Sequence, residues 1–379
     1  MKKTVVAAFV AFACSAQAAS LDDIKISGFG SVGVGKSTND VGYAGYTDEK
    51  FDTKQDTIAG IQFDFAINDK AKFTTQVVAN GRYDFEPEFE TAYLSYKFDS
   101  VTARAGILRT PFFMYSDYVD VGYAYPMIRP SQEVYEHIII NNYTGGDLLI
   151  PFDIGDTTLL LQPFAGISQV DEADSPYGEV DLNKTFGLTA HWYVDDFTFR
   201  ASYATATTSY SAPSSVELLG LTGYAEEMLD DQDALFASIG AQYDNGQLLA
   251  VVEAVRIEVD GRYSDSDAFS GLVGYRFGEI MPYASIGWKQ STDDEERETA
   301  VPGYDSILAY EQAVNNFETI SYSVGTRWDF AQNMALKLDV TYADFKGTSG
   351  RLAENVDDTT AAIKEDDTLV YSASVDFVF

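Results

Sequence analysis

Several groups of residues in this chain have the types and spacing of chemical sites. Gly30-Ser31-Val32-Gly33-Val34-Gly35-Lys36-Ser37 matches the phosphate-cradling loop letter for letter, and Gly28-Phe29-Gly30-Ser31-Val32-Gly33 matches the dinucleotide fingerprint. Both motifs need a helix next, whose N-terminus receives the phosphates. The next residues, Thr38-Asn39-Asp40-Val41-Gly42-Tyr43-Ala44-Gly45, read as loop, so a glycine-rich strand is the better reading. His191, beside Trp192, could act as the base of a serine dyad. His137 has no evident acid or nucleophile neighbour. Asp265-Ser266-Asp267 and Asp293-Asp294-Glu295-Glu296 could chelate calcium, but neither has the glycine and distant glutamate of a dedicated loop. The last group is the largest. Segment 112–140 carries Asp117, Asp120, Glu133 and Glu136, interleaved with Tyr115, Tyr118, Tyr123 and Tyr125. Arg104, Arg109 and Arg129 lie close to it in sequence. What these charges do depends on the scaffold that places them.

Composition narrows that scaffold. The chain has 379 residues, 59 acidic against 25 basic, for a net charge of −34. Such a balance excludes a nucleic-acid binder, which needs a basic surface. Two histidines and one cysteine supply neither a His-rich metal centre nor a disulfide framework. With 46% hydrophobic and 14% aromatic residues, the chain is too apolar for an acidic disordered one.

The first residues read as an export signal. Lys2 and Lys3 precede the apolar run 4–14, and Ala16-Gln17-Ala18 is a small-x-small cleavage site. The run is too short to cross a bilayer, which takes about 20 apolar residues. Cleavage is expected after Ala18, leaving 19–379 as one domain with net charge −36 once both lysines are gone. Lipidation at Cys14 is not expected, because Ala11-Phe12-Ala13 lacks the branched aliphatic residue usual before an acylated cysteine. No later stretch is long and apolar enough for a spanning helix.

The body alternates with period two. Leu369, Tyr371, Ala373, Val375, Phe377 and Phe379 alternate with Ser372, Ser374 and Asp376. Ala59, Ile61, Phe63, Phe65 and Ile67 show the same rhythm, as do Ile320, Tyr322, Val324, Trp328 and Phe330. Alternation of this kind marks strands with one apolar face. Short polar turns fall at Asn68-Asp69-Lys70, Asp99-Ser100, Asp153 to Asp156, Asp195-Asp196, Asp244-Asn245-Gly246, Gly278-Glu279 and Ala331-Gln332-Asn333. Longer acidic segments lie at 36–56, 81–89, 109–140, 168–180, 207–231, 260–266, 291–315 and 346–366. Seven short turns on one side and eight long loops on the other predict sixteen antiparallel strands. A soluble sandwich has no reason to segregate its loops this way. An up-and-down, membrane-spanning all-β barrel does. Aromatic pairs near the turns (Tyr96 and Phe98, Phe197 and Phe199, Tyr275 and Phe277, Trp328 and Phe330) suit an interfacial girdle. In 248–259, Glu253 and Arg256 cannot share the inward face, which predicts a bulge or interface packing there.

The leader, the sixteen strands, the unusually long third loop and the closing Phe379 resemble the Gram-negative general porins. Gly106-Ile107-Leu108-Arg109-Thr110-Pro111-Phe112 is similar to the step at which porins leave strand five for loop three. The resemblance implies an outer-membrane protein, a homotrimer, passive passage of small hydrophilic solutes, and no cofactor or catalysis. It implies contact with the barrel-assembly machinery through Phe379, and with lipids and lipopolysaccharide at the acidic loops, with divalent cations between. It also implies that loop three narrows the lumen, its acidic residues facing a basic wall. Asp117, Asp120, Glu133 and Glu136 would then oppose Arg104, Arg109 and either Arg82 or Arg129. Arg104 should point inward by alternation with Ala103 and Ala105. Rings of charge set ion preference, and the acidic bias predicts cations. Two other readings stand beside this one. The loop-three tyrosines suit a substrate-selective channel. His191 suits an outer-membrane lipid hydrolase, although that enzyme's serine must face lipid and alternation turns His191 inward.

Overall fold

A computed structural model describes residues 24–136, 140–170, 179–211, 231–261, 263–294 and 305–379. The expected leader 1–18, Cys14, His137, Glu295 and Glu296 lie outside the described residues.

The strands are β1 (Ile24–Ser37), β2 (Ile58–Ala66), β3 (Ala71–Asn80), β4 (Pro87–Phe98), β5 (Val101–Arg109), β6 (Asn142–Ile154), β7 (Thr157–Val170) and β8 (Glu179–Val194). They continue as β9 (Phe197–Ser211), β10 (Gln232–Asp244), β11 (Leu248–Val259), β12 (Ser266–Tyr275), β13 (Ile280–Ser291), β14 (Glu318–Ala331), β15 (Met334–Asp344) and β16 (Asp367–Val378). Every neighbouring pair is antiparallel, and β1 pairs with β16 to close the barrel. Closure satisfies the strand edges, which hydrocarbon would leave unbonded. Each short connection falls on an expected turn, and each long one on an expected loop.

Alternation decides which face meets lipid. On β16, Val370, Ser372, Ser374 and Asp376 are buried inside, while Tyr371 on the outer face is exposed. Tyr322, Val324, Trp328 and Phe330 likewise face out from β14. Paired outer rings lie near the short turns: Tyr96–Phe98 at 4.5 Å, Tyr275–Phe277 at 4.7 Å and Trp328–Phe330 at 5.7 Å between centroids. This apolar exterior with its aromatic ring is the surface of an outer-membrane barrel.

The nucleotide-like glycines belong to β1, and no helix comes after them. Side chains at Gly28 and Gly30 would run into the rings of Phe379 and Phe377. Glycine there lets the last strand close tightly on the first, and Phe379 exchanges backbone hydrogen bonds with Gly28 at 2.9 and 3.0 Å.

The bulge considered in 248–259 is absent. β11 pairs with β10 and β12 without a register shift. Glu253 points inward and is buried, whereas Arg256 lies outside near the loop end. There it meets Asp267 of β12 with two bonds of 2.7 Å. A charge pair on the outer face near the interface lets the register continue. Shifts occur instead on β3–β4, β7–β8, β8–β9 and β14–β15.

Candidate functional site

A sixteen-strand barrel encloses a lumen too wide for its own side chains to fill. The connection between β5 and β6 enters it. Pro111 starts the entry: its carbonyl accepts from Thr189 of β8 at 2.8 Å and from Ser202 of β9 at 2.9 Å. Ser238 of β10 then donates to the Phe112 carbonyl at 2.6 Å. Glu253 of β11 accepts from the Met114 N–H at 2.8 Å and the Tyr135 hydroxyl at 2.9 Å. Four consecutive strands therefore hold the base of the loop through inward polar groups.

Apolar packing accompanies these bonds. Phe112 stacks on Phe236 at 4.2 Å, within a buried cluster that includes Leu108, Phe113, Val134, Tyr143 and Phe164. Since the displaced medium is lumen water, each buried ring contributes about 2–3 kcal/mol. The tip reaches the far wall. Lys337 of β15 donates to the carbonyls of Gly122 at 2.5 Å and Met127 at 2.7 Å, while pairing with Asp376 of β16 at 2.9 Å. Arg327 of β14 donates to the Tyr123 and Tyr125 carbonyls at 2.6 and 3.2 Å. Gly122 lies so close to Ser31 and Asp376 that a Cβ there would sit 2.6 and 2.8 Å from their oxygens. The loop thus crosses the lumen from β5 to β16.

The charges expected to face one another are only partly brought together. Arg109 pairs directly with Asp120, with Glu90 of β4 at 3.6 Å. Arg82 pairs with Glu136 at 2.6 Å. Arg104 does point inward, but its bonds of 2.8 and 2.5 Å go to Asp147 on β6, not to the loop. Arg129 pairs with Asp56 in the first long loop, with one bond at 2.9 Å. Burial pushes the Asp56 carboxyl up, but Arg129, Arg82 and the Tyr46 hydroxyl outweigh it and hold it below the usual carboxylate range. Asp117 stands 3.6 Å from Arg200 of β9 and is 55% exposed. Glu133 is wholly buried and accepts from the hydroxyls of Tyr43 and, at 2.8 Å, Ser131. Two of the anticipated cation–carboxylate contacts therefore form, Asp120 with Arg109 and Glu136 with Arg82. The other charges find different partners.

Glu253, Lys337, Asp376, Arg200 and Asp147 also contribute, although the sequence reading does not assign them to this site. One signal is available for them. A charge flanked by apolar neighbours well inside a barrel strand, such as Lys337 between Leu336 and Leu338, is expected to face the lumen, whereas Arg256 between Val255 and Ile257, near the loop end, faces out. His191 faces inward beside Arg200 and stacks on Tyr193 at 6.2 Å. A base there would share its surroundings with a guanidinium.

No protein-family model and no curated protein matches the sequence. Solved structures do match. OmpT, an outer membrane protein of Vibrio cholerae, superposes with a TM-score of 0.57 at 12% identity, covering 95% of this chain and 99% of its own. OmpF of Salmonella typhi gives 0.56 at 15% identity over 94% and 97%. An anion-selective porin from Comamonas acidovorans gives 0.58 at 11% identity over 94% and 99%. With its closed sixteen-strand wall and apolar exterior, this chain has the fold of the Gram-negative outer-membrane porins.

Proposed function

We propose that the protein is a passive outer-membrane channel for small hydrophilic solutes and ions, with a modest cation preference. The observation that carries this reading is the third long loop, which lies within the barrel, tied to β8–β11 at its base and to β14 and β15 at its tip. The fold does not set the sign of selectivity, since a neighbour of the same fold is anion-selective. The lining sets it. Each of Arg82, Arg104, Arg109 and Arg129 is matched by a carboxylate, while Asp117, 3.6 Å from the buried Arg200, remains more than half exposed. A neutralised basic wall and an exposed acid favour cations.

The reading involves no cofactor and no catalysis. It includes a homotrimer, recognition of Phe379 by the assembly machinery, and lipopolysaccharide bridged by divalent ions at the acidic loops. Swelling of proteoliposomes tests the channel. In isosmotic neutral sugars, vesicles carrying the protein should swell at rates that fall steeply with solute size. Swelling no faster than that of protein-free vesicles would contradict the proposal.

A further inference from the structure

Beneath the third loop, on the short-turn side, lies an open cavity of about 460 Å³. Its ceiling is Tyr115, Tyr118, Tyr123 and Tyr125 from the loop. The rings form a connected surface: Tyr115 lies 5.7 Å from Tyr118 and 5.6 Å from Tyr125, with the latter pair stacked. Its floor is ionic but balanced. Arg276 makes a two-pronged bond to Asp244 at 2.6 and 2.9 Å, and Arg327 is held by Asp329 at 2.7 Å. Arg327 also lies over the Tyr123 ring at 4.5 Å, fixing ring and guanidinium together.

One residue lining this cavity carries a group that lacks a partner among the described residues. The Tyr115 hydroxyl is buried and makes no hydrogen bond, although a buried hydroxyl ordinarily finds one. Burial pushes its phenol up, and Tyr118, Glu253 and Asp244 add to that, which places Asp244 of the cavity floor among its electrostatic neighbours. An orphan hydroxyl at the edge of a tyrosine surface, above two balanced Arg–Asp pairs, is suited to a ligand with an apolar face and several hydroxyls. A net ionic ligand would have to break one of those pairs.

We infer that this cavity is a binding subsite for neutral sugars, which stack on the loop-three tyrosines and hydrogen-bond to the Arg276–Asp244 and Arg327–Asp329 pairs. C–H faces of a pyranose present positive edges to the negative faces of tyrosine rings. Paired, planar guanidinium and carboxylate groups meet vicinal hydroxyls two at a time. A transiting sugar would then pause just beyond the constriction. The inference rests on the channel reading and deepens it.

Single-channel recording with raffinose, maltose or sucrose added on the short-turn side tests it. The expected result is brief, concentration-dependent interruptions of an open current. Tyr115→Phe, which removes only the orphan hydroxyl, should raise the half-blocking concentration about fivefold. Tyr118→Leu should raise it about tenfold. Open steps that none of the three sugars interrupts would overturn the subsite while leaving the channel standing, as would block in both variants equal to that of the wild type. Stronger block by an anionic sugar acid of equal size would overturn the neutral class. Absence of any conducting step would overturn the channel reading itself.

Discussion

Asp117 and Asp120 sit three residues apart, yet they carry different weight in the lumen. Asp120 is spent on Arg109, whereas Asp117 keeps 55% of its side chain in water and lies 3.6 Å from Arg200, whose Nε and Nη2 have no hydrogen-bond partner among the described residues. A unit charge about 6 Å from a hydrated ion contributes about 0.7 kcal/mol, roughly threefold in an equilibrium constant. Asp117→Asn should therefore lower the potassium-to-chloride permeability ratio about two- to threefold, read as a shift of reversal potential at low salt. Asp120→Asn should do less, because Glu90 still faces Arg109. An unchanged potential in Asp117→Asn would place that residue off the ion path. Asp56 answers to pH. Its carboxyl is held below the usual range, so the bond to Arg129 contributes above the ordinary carboxylate pKa and is lost as pH falls through the lowered value. Asp56→Asn leaves a buried guanidinium unpaired, at a cost of about 3–5 kcal/mol near neutrality. Unfolding of wild type and variant should differ most above about pH 5 and converge in acid. A gap that persists in acid would assign the loss to packing.

At the scale of elements, the third loop is held at its base by hydroxyls and Glu253 and at its tip by Lys337 and Arg327. Lys337→Met frees two loop carbonyls and leaves Asp376 buried without its cation, a loss of about 3–5 kcal/mol. The variant should melt earlier on heated gels and show noisier current. Adding Asp376→Leu should recover much of the melting midpoint but leave the noise, because the loop tip stays untied. Equal noise in wild type and Lys337→Met would show that the tip needs no tether. The strands themselves could be read from the chain. Period-two alternation, with each short turn set between strands, places β2, β14 and β16 and the loops between pairs, because the lipid face favours apolar residues away from the interfaces. The partners of the loop charges could not be read. Alternation puts Arg104 inside, but its pairing with Asp147 comes from the β5–β6 register, and that of Arg129 with Asp56 from how two loops fold together. Period two carries neither. Of the two expectations at Glu253 and Arg256, a bulge or interface packing, the second is the one the structure adopts: the outer-face arginine pairs across strands near the interface.

For the whole molecule, closure is the event on which the rest depends. Phe379 seals β16 to β1 through Gly28, and its ring is exposed on the outer face. Phe379→Ser should reduce the heat-modifiable form in the outer membrane while the purified protein still refolds in detergent. Normal assembly would remove Phe379 from the targeting signal. The interior charge acts within a Debye length, about 8–10 Å, so selectivity should weaken as salt rises. The most direct test of the account is the conductance of the purified barrel in a planar bilayer under a potassium chloride gradient. Large ohmic steps with a modest cation-selective reversal potential are the predicted result. A correctly inserted barrel that passes no current would mean that the internal loop seals the lumen, and would contradict it.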